Sequence, residues 1–183
     1  MIRGGKGGAK TLTGLRFEKR VSLKEVIDSI PNYSVIGDFV YYNSQKVAQL
    51  CPKNKLYKNL LEKNSIVYSK IISKKLLPDD AILVLKNNTV YIIEIKFQEV
   101  SGSVDEKLQT CDFKNKQYTK LLSPLNIKVK YVYVLSEWFK KEEYKDVLEY
   151  IKFVGCYYFF DEVPFEFLDL PQPTAKLEEH EIK

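Results

Sequence analysis

The chain reads as an α/β (α+β) protein with a mixed central β-sheet flanked by helices, and two observations predict this. The strand-like runs AILVL (81–85) and TVYIIEIKF (89–97) are separated only by Lys86-Asn87-Asn88, which predicts an antiparallel hairpin in mid-chain. Beyond it the periodicity alternates: a helical stretch from Ser103, the strand-like KVKYVYVL, the helical EWFKKEEYKDVLEYIKFV and a last strand in CYYFF. Strands joined first by tight turns and then by helices give a mixed sheet covered by helices. With 183 residues, 45% of them hydrophobic, one domain with a sizeable core is expected.

Taken in order, residues 1–12 are glycine-rich and basic, which predicts a flexible arm. A helix capped by Thr13 follows, with Leu15, Val21, Val26, Ile27 and Ile30 as its apolar face and Pro31 as its stop. SVIGDFVYY and KVAQL, on either side of Asn43-Ser44, predict a hairpin between Tyr33 and Leu50. Residues 56–74 predict one or two short helices. Ser103 and Glu106 form a capping-box pair at the start of a helix whose apolar residues are Val104, Leu108, Cys111, Tyr118 and Leu122, ending near Ser123-Pro124. Trp138 is expected to anchor the helix after it, and residues 171–183 to form a peripheral tail.

Composition narrows the chemistry. Cys51, Cys111 and Cys156 are odd in number and far apart, so neither a disulfide framework nor a zinc knuckle is expected. The single histidine, His180, lies in the acidic tail, which argues against histidine catalysis. No signal-peptide or membrane-length apolar run occurs, so a soluble, intracellular protein is expected. The net charge is +5, and Arg3, Lys6, Lys10, Arg16, Lys19, Arg20 and Lys24 face a single acid, Glu18, in the first 24 residues. Such a local excess suits a polyanionic partner.

The central hairpin carries the candidate chemistry. With Asn87 and Asn88 as the two turn residues, Asp79 lies opposite Lys96 and Ala81 opposite Glu94, and residues two apart share a face. Asp79, Glu94 and Lys96 then converge while Asp80 points away. A strand apolar on both faces that turns charged only at its end implies a polar cleft there. Two carboxylates suit a hard ion such as Mg²⁺, and a lysine beside them can orient the attacking water and stabilise charge developing on a phosphate. Gln98 continues this face as a candidate contact to the ligand sphere or to substrate. Lys107, Lys114 and Gln117 recur on a helix face distinct from the apolar one and could line a DNA backbone, and the amides that follow Ser103 could meet a phosphate.

Pro78-Asp79 with Glu94-Ile95-Lys96 resembles the signature of the PD-(D/E)XK nuclease superfamily. GGKGGAKTLTGLRFE and GSVDEKLQT are similar to elements of its small type II restriction endonucleases, so the likeness spans roughly Gly4 to Leu122. It implies a restriction-endonuclease-like core and Mg²⁺-dependent, sequence-specific cleavage of double-stranded DNA, with Mn²⁺ able to substitute. It also implies Glu18 as a further acidic group at the metal site, and an intracellular protein of a prokaryote or virus. A homodimer would match the symmetry of a two-strand cut. Lys6, Lys10, Arg16, Ser103, Lys107 and Lys114 are the candidate DNA contacts. A structure-selective nuclease, such as a junction resolvase or repair endonuclease, is the alternative. A catalytically inactive binding fold is the third reading.

Overall fold

Strands joined by two- to four-residue turns return antiparallel, whereas parallel neighbours need a long crossover. Both regimes occur in the computed structural model, which describes residues 13–17, 21–98 and 104–173. Five strands form an antiparallel run: β2 (Tyr33–Ile36), β3 (Phe39–Tyr42), β4 (Gln45–Leu50), β5 (Asp80–Val84) and β6 (Thr89–Lys96). Then β7 (Lys128–Leu135) lies parallel to β6, and β8 (Tyr157–Phe160) parallel to β7. The seven strands stand in sequence order in one mixed sheet. Where one hairpin was expected between Tyr33 and Leu50, there are three strands. Gly37, at φ 62°, makes an additional turn before Asn43 and Ser44, both at positive φ, make the second.

Helices pack on both faces. On one, Leu121 and Leu122 of α4 (Cys111–Leu122), Ile151 of α5 (Lys145–Phe153) and Leu56 of the short α2 (Asn54–Leu56) bury Ala81, Ile92, Tyr131 and Tyr133. Here α2 runs into a π-helical turn, Tyr57–Leu61, which adds Tyr57, Leu60 and Leu61 to the same core. On the other face, Leu23, Val26 and Ile27 of α1 (Leu23–Asp28) cover Ile82, Tyr91, Ile93 and Val134. β6 is therefore enclosed on both sides, which is why it is apolar on both faces until Glu94.

Three expectations change. Thr13 caps no helix: its hydroxyl donates to Glu162 Oε1 at 2.6 Å, and Gly14–Arg16 form a strand, β1, paired antiparallel with β9 (Glu162–Pro164). Helix α1 begins later, at a capping box in which Ser22 and Glu25 satisfy each other's backbone amides. Second, the stretch after Ser103 is two helices, α3 (Val104–Leu108) and α4. The Thr110 hydroxyl donates to the Lys107 carbonyl at 2.7 Å at the break. Ser103 itself lies outside the described residues. Third, β5 and β6 pair Val84 with Thr89 and Asp80 with Ile93, so the loop has four residues rather than two. Ala81 thus faces Ile92, not Glu94, and the next step of the register sets Asp79 level with Glu94, not Lys96. The offset is one whole period of the strand, so every side chain keeps its face.

Near the end of the chain, α5 occupies only the last half of the expected helical stretch and follows two 3₁₀ turns, Glu137–Lys140 and Glu142–Tyr144. Trp138 Nε1 donates to the Tyr144 hydroxyl at 2.8 Å, tying those turns together. Tyr42 donates to the Gln172 carbonyl at 2.7 Å, so the start of the expected tail is held against β3. The three cysteines are buried and free. No helix among the described residues is long and apolar enough to cross a membrane.

Candidate active site

The sheet passes from antiparallel to parallel pairing across β6, and the charged residues lie at the carboxyl end of that strand. Glu94 and Lys96 project there onto the face covered by α4, and Asp79 approaches from the segment entering β5. Lys96 Nζ donates to Asp79 Oδ2 and to Glu94 Oε2, each at 3.0 Å, so those two oxygens stand no farther apart than twice that distance. Asp79 Oδ2 also accepts the Ile95 amide at 3.1 Å, which fixes the carboxylate against β6. Burial is graded across the site: Glu94 is 5% exposed, while the Asp79 side chain is 47% exposed.

A fourth charge completes the cluster. Lys114 of α4 brings its ammonium 3.5 Å from Glu94 Oε2, so the buried carboxylate is shared by two lysines. Burial works against the charged form of Lys96, but the negative charges of Glu94 and Asp79 outweigh it and raise its pKa above the ordinary lysine value. The ammonium therefore persists at neutral pH. Two acids and two lysines balance, the condition under which charges are tolerated in a partly dry site. Behind Glu94 stand Tyr118, Tyr131 and Tyr133. Burial first, and the Glu94 charge second for Tyr118 and Tyr131, drive these phenols well above their ordinary range, so they form a neutral wall.

Asp80 lies on the opposite face, as strand alternation requires. Its Oδ2 accepts the Leu23 amide at 3.1 Å, anchoring the first turn of α1. Burial pushes its pKa up to about 6; the Leu23 hydrogen bond opposes that rise and the Asp79 charge adds to it.

The remaining candidates are dispersed. Gln98 does not continue the strand, since β6 ends at Lys96. Its backbone is clasped to the end of β7 by Ser136, whose Oγ accepts the Gln98 amide at 3.2 Å and donates to the Gln98 carbonyl at 3.1 Å. Arg16 is exposed on β1 opposite Glu162; its neighbours Leu15 and Phe17 belong to the core on the α1 face. Lys107 is exposed at the end of α3. Lys114 is not on a separate outward face but turned in to Glu94. The signal was present, since it stands three residues after buried Cys111 and four before buried Tyr118. Glu18, Lys6, Lys10 and Ser103 lie outside the described residues.

The chemistry available is that of two carboxylates and an ammonium at one point. Among the described residues no group of three or more His, Cys, Asp or Glu side chains converges. Two carboxylate oxygens nonetheless suit Mg²⁺, which keeps several waters and takes further oxygens from a phosphate substrate. Asp79 and Glu94 would hold it. Two cavities lie elsewhere: one of about 610 Å³ beside α5, lined by Gln109, Tyr144 and Tyr150 among others, and one of about 890 Å³ between β4, β5 and residues 166–172. Neither includes any residue of the charged cluster. Comparison with protein-family models, curated proteins and solved structures found no match.

Proposed function

We propose that the chain is a Mg²⁺-dependent endonuclease that hydrolyses phosphodiester bonds of double-stranded DNA, a type II restriction enzyme with a restriction-endonuclease-like core acting as a homodimer. The observation that carries this reading is the convergence of Asp79 and Glu94 on Lys96 Nζ at the exit of the central strand. The order of elements also supports it: α1, a run of antiparallel strands, then helices crossing to a parallel strand, with Glu94 and Lys96 at the carboxyl end of β6.

A bound Mg²⁺ would supply charge neutralisation at the scissile phosphate and acidify a water. Asp79, being exposed, and Glu94, being buried and fixed, would hold that ion from two sides. The Lys96 ammonium, held between the two carboxylates, would stand ready to donate to a phosphate oxygen or to the attacking water. Lys114, 3.5 Å from Glu94 Oε2, helps to orient that carboxylate. Glu18 is proposed as an additional ligand on the strength of the resemblance alone.

The test is to incubate the purified protein with phage-length duplex DNA, with and without Mg²⁺, beside Asp79→Ala. Discrete Mg²⁺-dependent fragments that vanish in the variant are expected. A smear, or cutting of branched substrates only, would assign the same site to a structure-selective nuclease. Uncut DNA with binding retained would leave a binding fold without catalysis.

A further inference from the structure

The stretch from Lys53 to Lys75 contains seven lysines (53, 55, 58, 63, 70, 74 and 75) and one acid, Glu62, a charge density matching that of the amino-terminal arm. Five of its apolar residues, Leu56, Tyr57, Leu60, Leu61 and Ile72, are buried in the core on the face that also carries Glu94 and Lys96, while Val67 is exposed. The charged residues are consequently forced outward beside the candidate site. The segment is firmly attached. Tyr57 donates through its hydroxyl to the Leu76 carbonyl at 2.9 Å and accepts the Leu76 amide at 2.8 Å, and Lys75 lies over the rings of Tyr57 and Tyr68 at 4.8 and 4.9 Å. Lys53 donates its amide to the Pro78 carbonyl at 3.2 Å, directly before Asp79. Its φ of 48° and ψ of −125° are a conformation that favours glycine, yet the position presents an exposed lysine.

Lys55 is engaged by Asp38. Among the described residues, Lys53, Lys58, Lys63, Lys70 and Lys74 are all exposed and none is in an ion pair. Five exposed ammoniums outside any ion pair give the segment a positive face, and such a face attracts a polyanion. Asn54, Asn64, Ser65, Ser69 and Ser73 are exposed between them, and such amides and hydroxyls serve as phosphate-oxygen donors. Tyr57 and Tyr68, the segment's aromatic rings, are occupied by Lys75 and offer no stacking platform for unpaired bases. The chemistry therefore matches a duplex backbone better than a single strand.

We infer that residues 53–74 form a binding track for the phosphate backbone of double-stranded DNA, delivering it to the Asp79, Glu94 and Lys96 cluster. The inference takes DNA as the ligand from the proposed function but does not depend on cleavage. It is tested by binding to a 30-base-pair duplex in EDTA across a salt series, where no metal-dependent step can occur. The substituted chain carries Lys58→Gln, Lys70→Gln and Lys74→Gln. The control carries Lys86→Gln, Lys120→Gln and Lys128→Gln, at the opposite end of β6, where Lys128 pairs with Thr89. Each lost phosphate contact flattens the slope of log K against log salt by about 0.9, so the track variant should flatten it by about 2 to 3 while the control leaves it unchanged. An equal effect in both variants, no duplex binding by the native chain, or loss confined to phosphatidylserine vesicles would overturn the inference. Loss of binding in the track variant of a chain that never cuts DNA would support the track and reject the nuclease reading. Normal cleavage with an unaltered slope would do the reverse.

Discussion

Lys114 and Glu94, twenty positions apart on a helix and a strand, meet with 3.5 Å between ammonium and carboxylate. Because the same Glu94 oxygen accepts from Lys96 at 3.0 Å, each lysine limits where the other can go.

Glu94→Ala should therefore be costly twice over. It leaves two lysines without their shared partner in a buried setting, and a loss of about 3 kcal/mol in urea-unfolding stability is expected. Glu94→Gln keeps the shape and should fold with a smaller loss. Both should lower Mg²⁺-dependent DNA cleavage by at least about 100-fold in a plasmid-cutting assay. A Gln variant that cuts at the native rate would remove Glu94 from the proposed site.

Lys96→Met should separate binding from chemistry. Without the Lys96 ammonium, Asp79 loses its ion-pair partner and Glu94 keeps only the longer contact to Lys114, so the donor placed between the two carboxylates is gone. Cleavage should fall by about 10²-fold or more while duplex affinity in EDTA changes by less than about threefold. A parallel fall in both would mean that Lys96 serves binding only.

Asp80 makes stability depend on pH with an unusual sign. Its folded-state pKa, about 6, lies above the ordinary carboxylate value of 3.8, so the folded state holds the proton more tightly than the unfolded state. The contribution is thus fully favourable below about pH 4 and is lost as the pH rises through 6, leaving a penalty on the order of 2–3 kcal/mol at pH 7.5. Asp80→Asn retains an acceptor for the Leu23 amide and should be more stable than the native chain at pH 7.5, with the difference shrinking toward pH 4. Chemical denaturation at both pH values measures it; a constant difference would refute the assignment.

Gly14→Ala tests the replacement of the expected first helix by β1. A methyl at this position would lie 2.5 Å from the Val163 carbonyl oxygen, so the variant should lose about 1–3 kcal/mol of stability in thermal or urea unfolding. In a helix the same change would stabilise by close to 1 kcal/mol. The sign alone distinguishes the two structures.

Alternation along β5 and β6 was enough to show that Asp79, Glu94 and Lys96 share a face and that Asp80 does not. A register error of two residues could not change this, because two is the period of the strand. The alternating strands and helices after residue 80 likewise revealed the mixed sheet. Contacts between distant segments were not legible in the same way. Gly14–Arg16 pairs with residues 162–164 because Gly14 admits a close backbone approach, and its local pattern carries no trace of that partner. The inward turn of Lys114 was readable from its spacing to Cys111 and Tyr118, but its meeting with Glu94 depended on how α4 lies over β6. The position of the lysine-bearing segment beside that site was likewise decided by tertiary structure alone: periodicity reports which face of an element is apolar, and only packing decides what that face is set against.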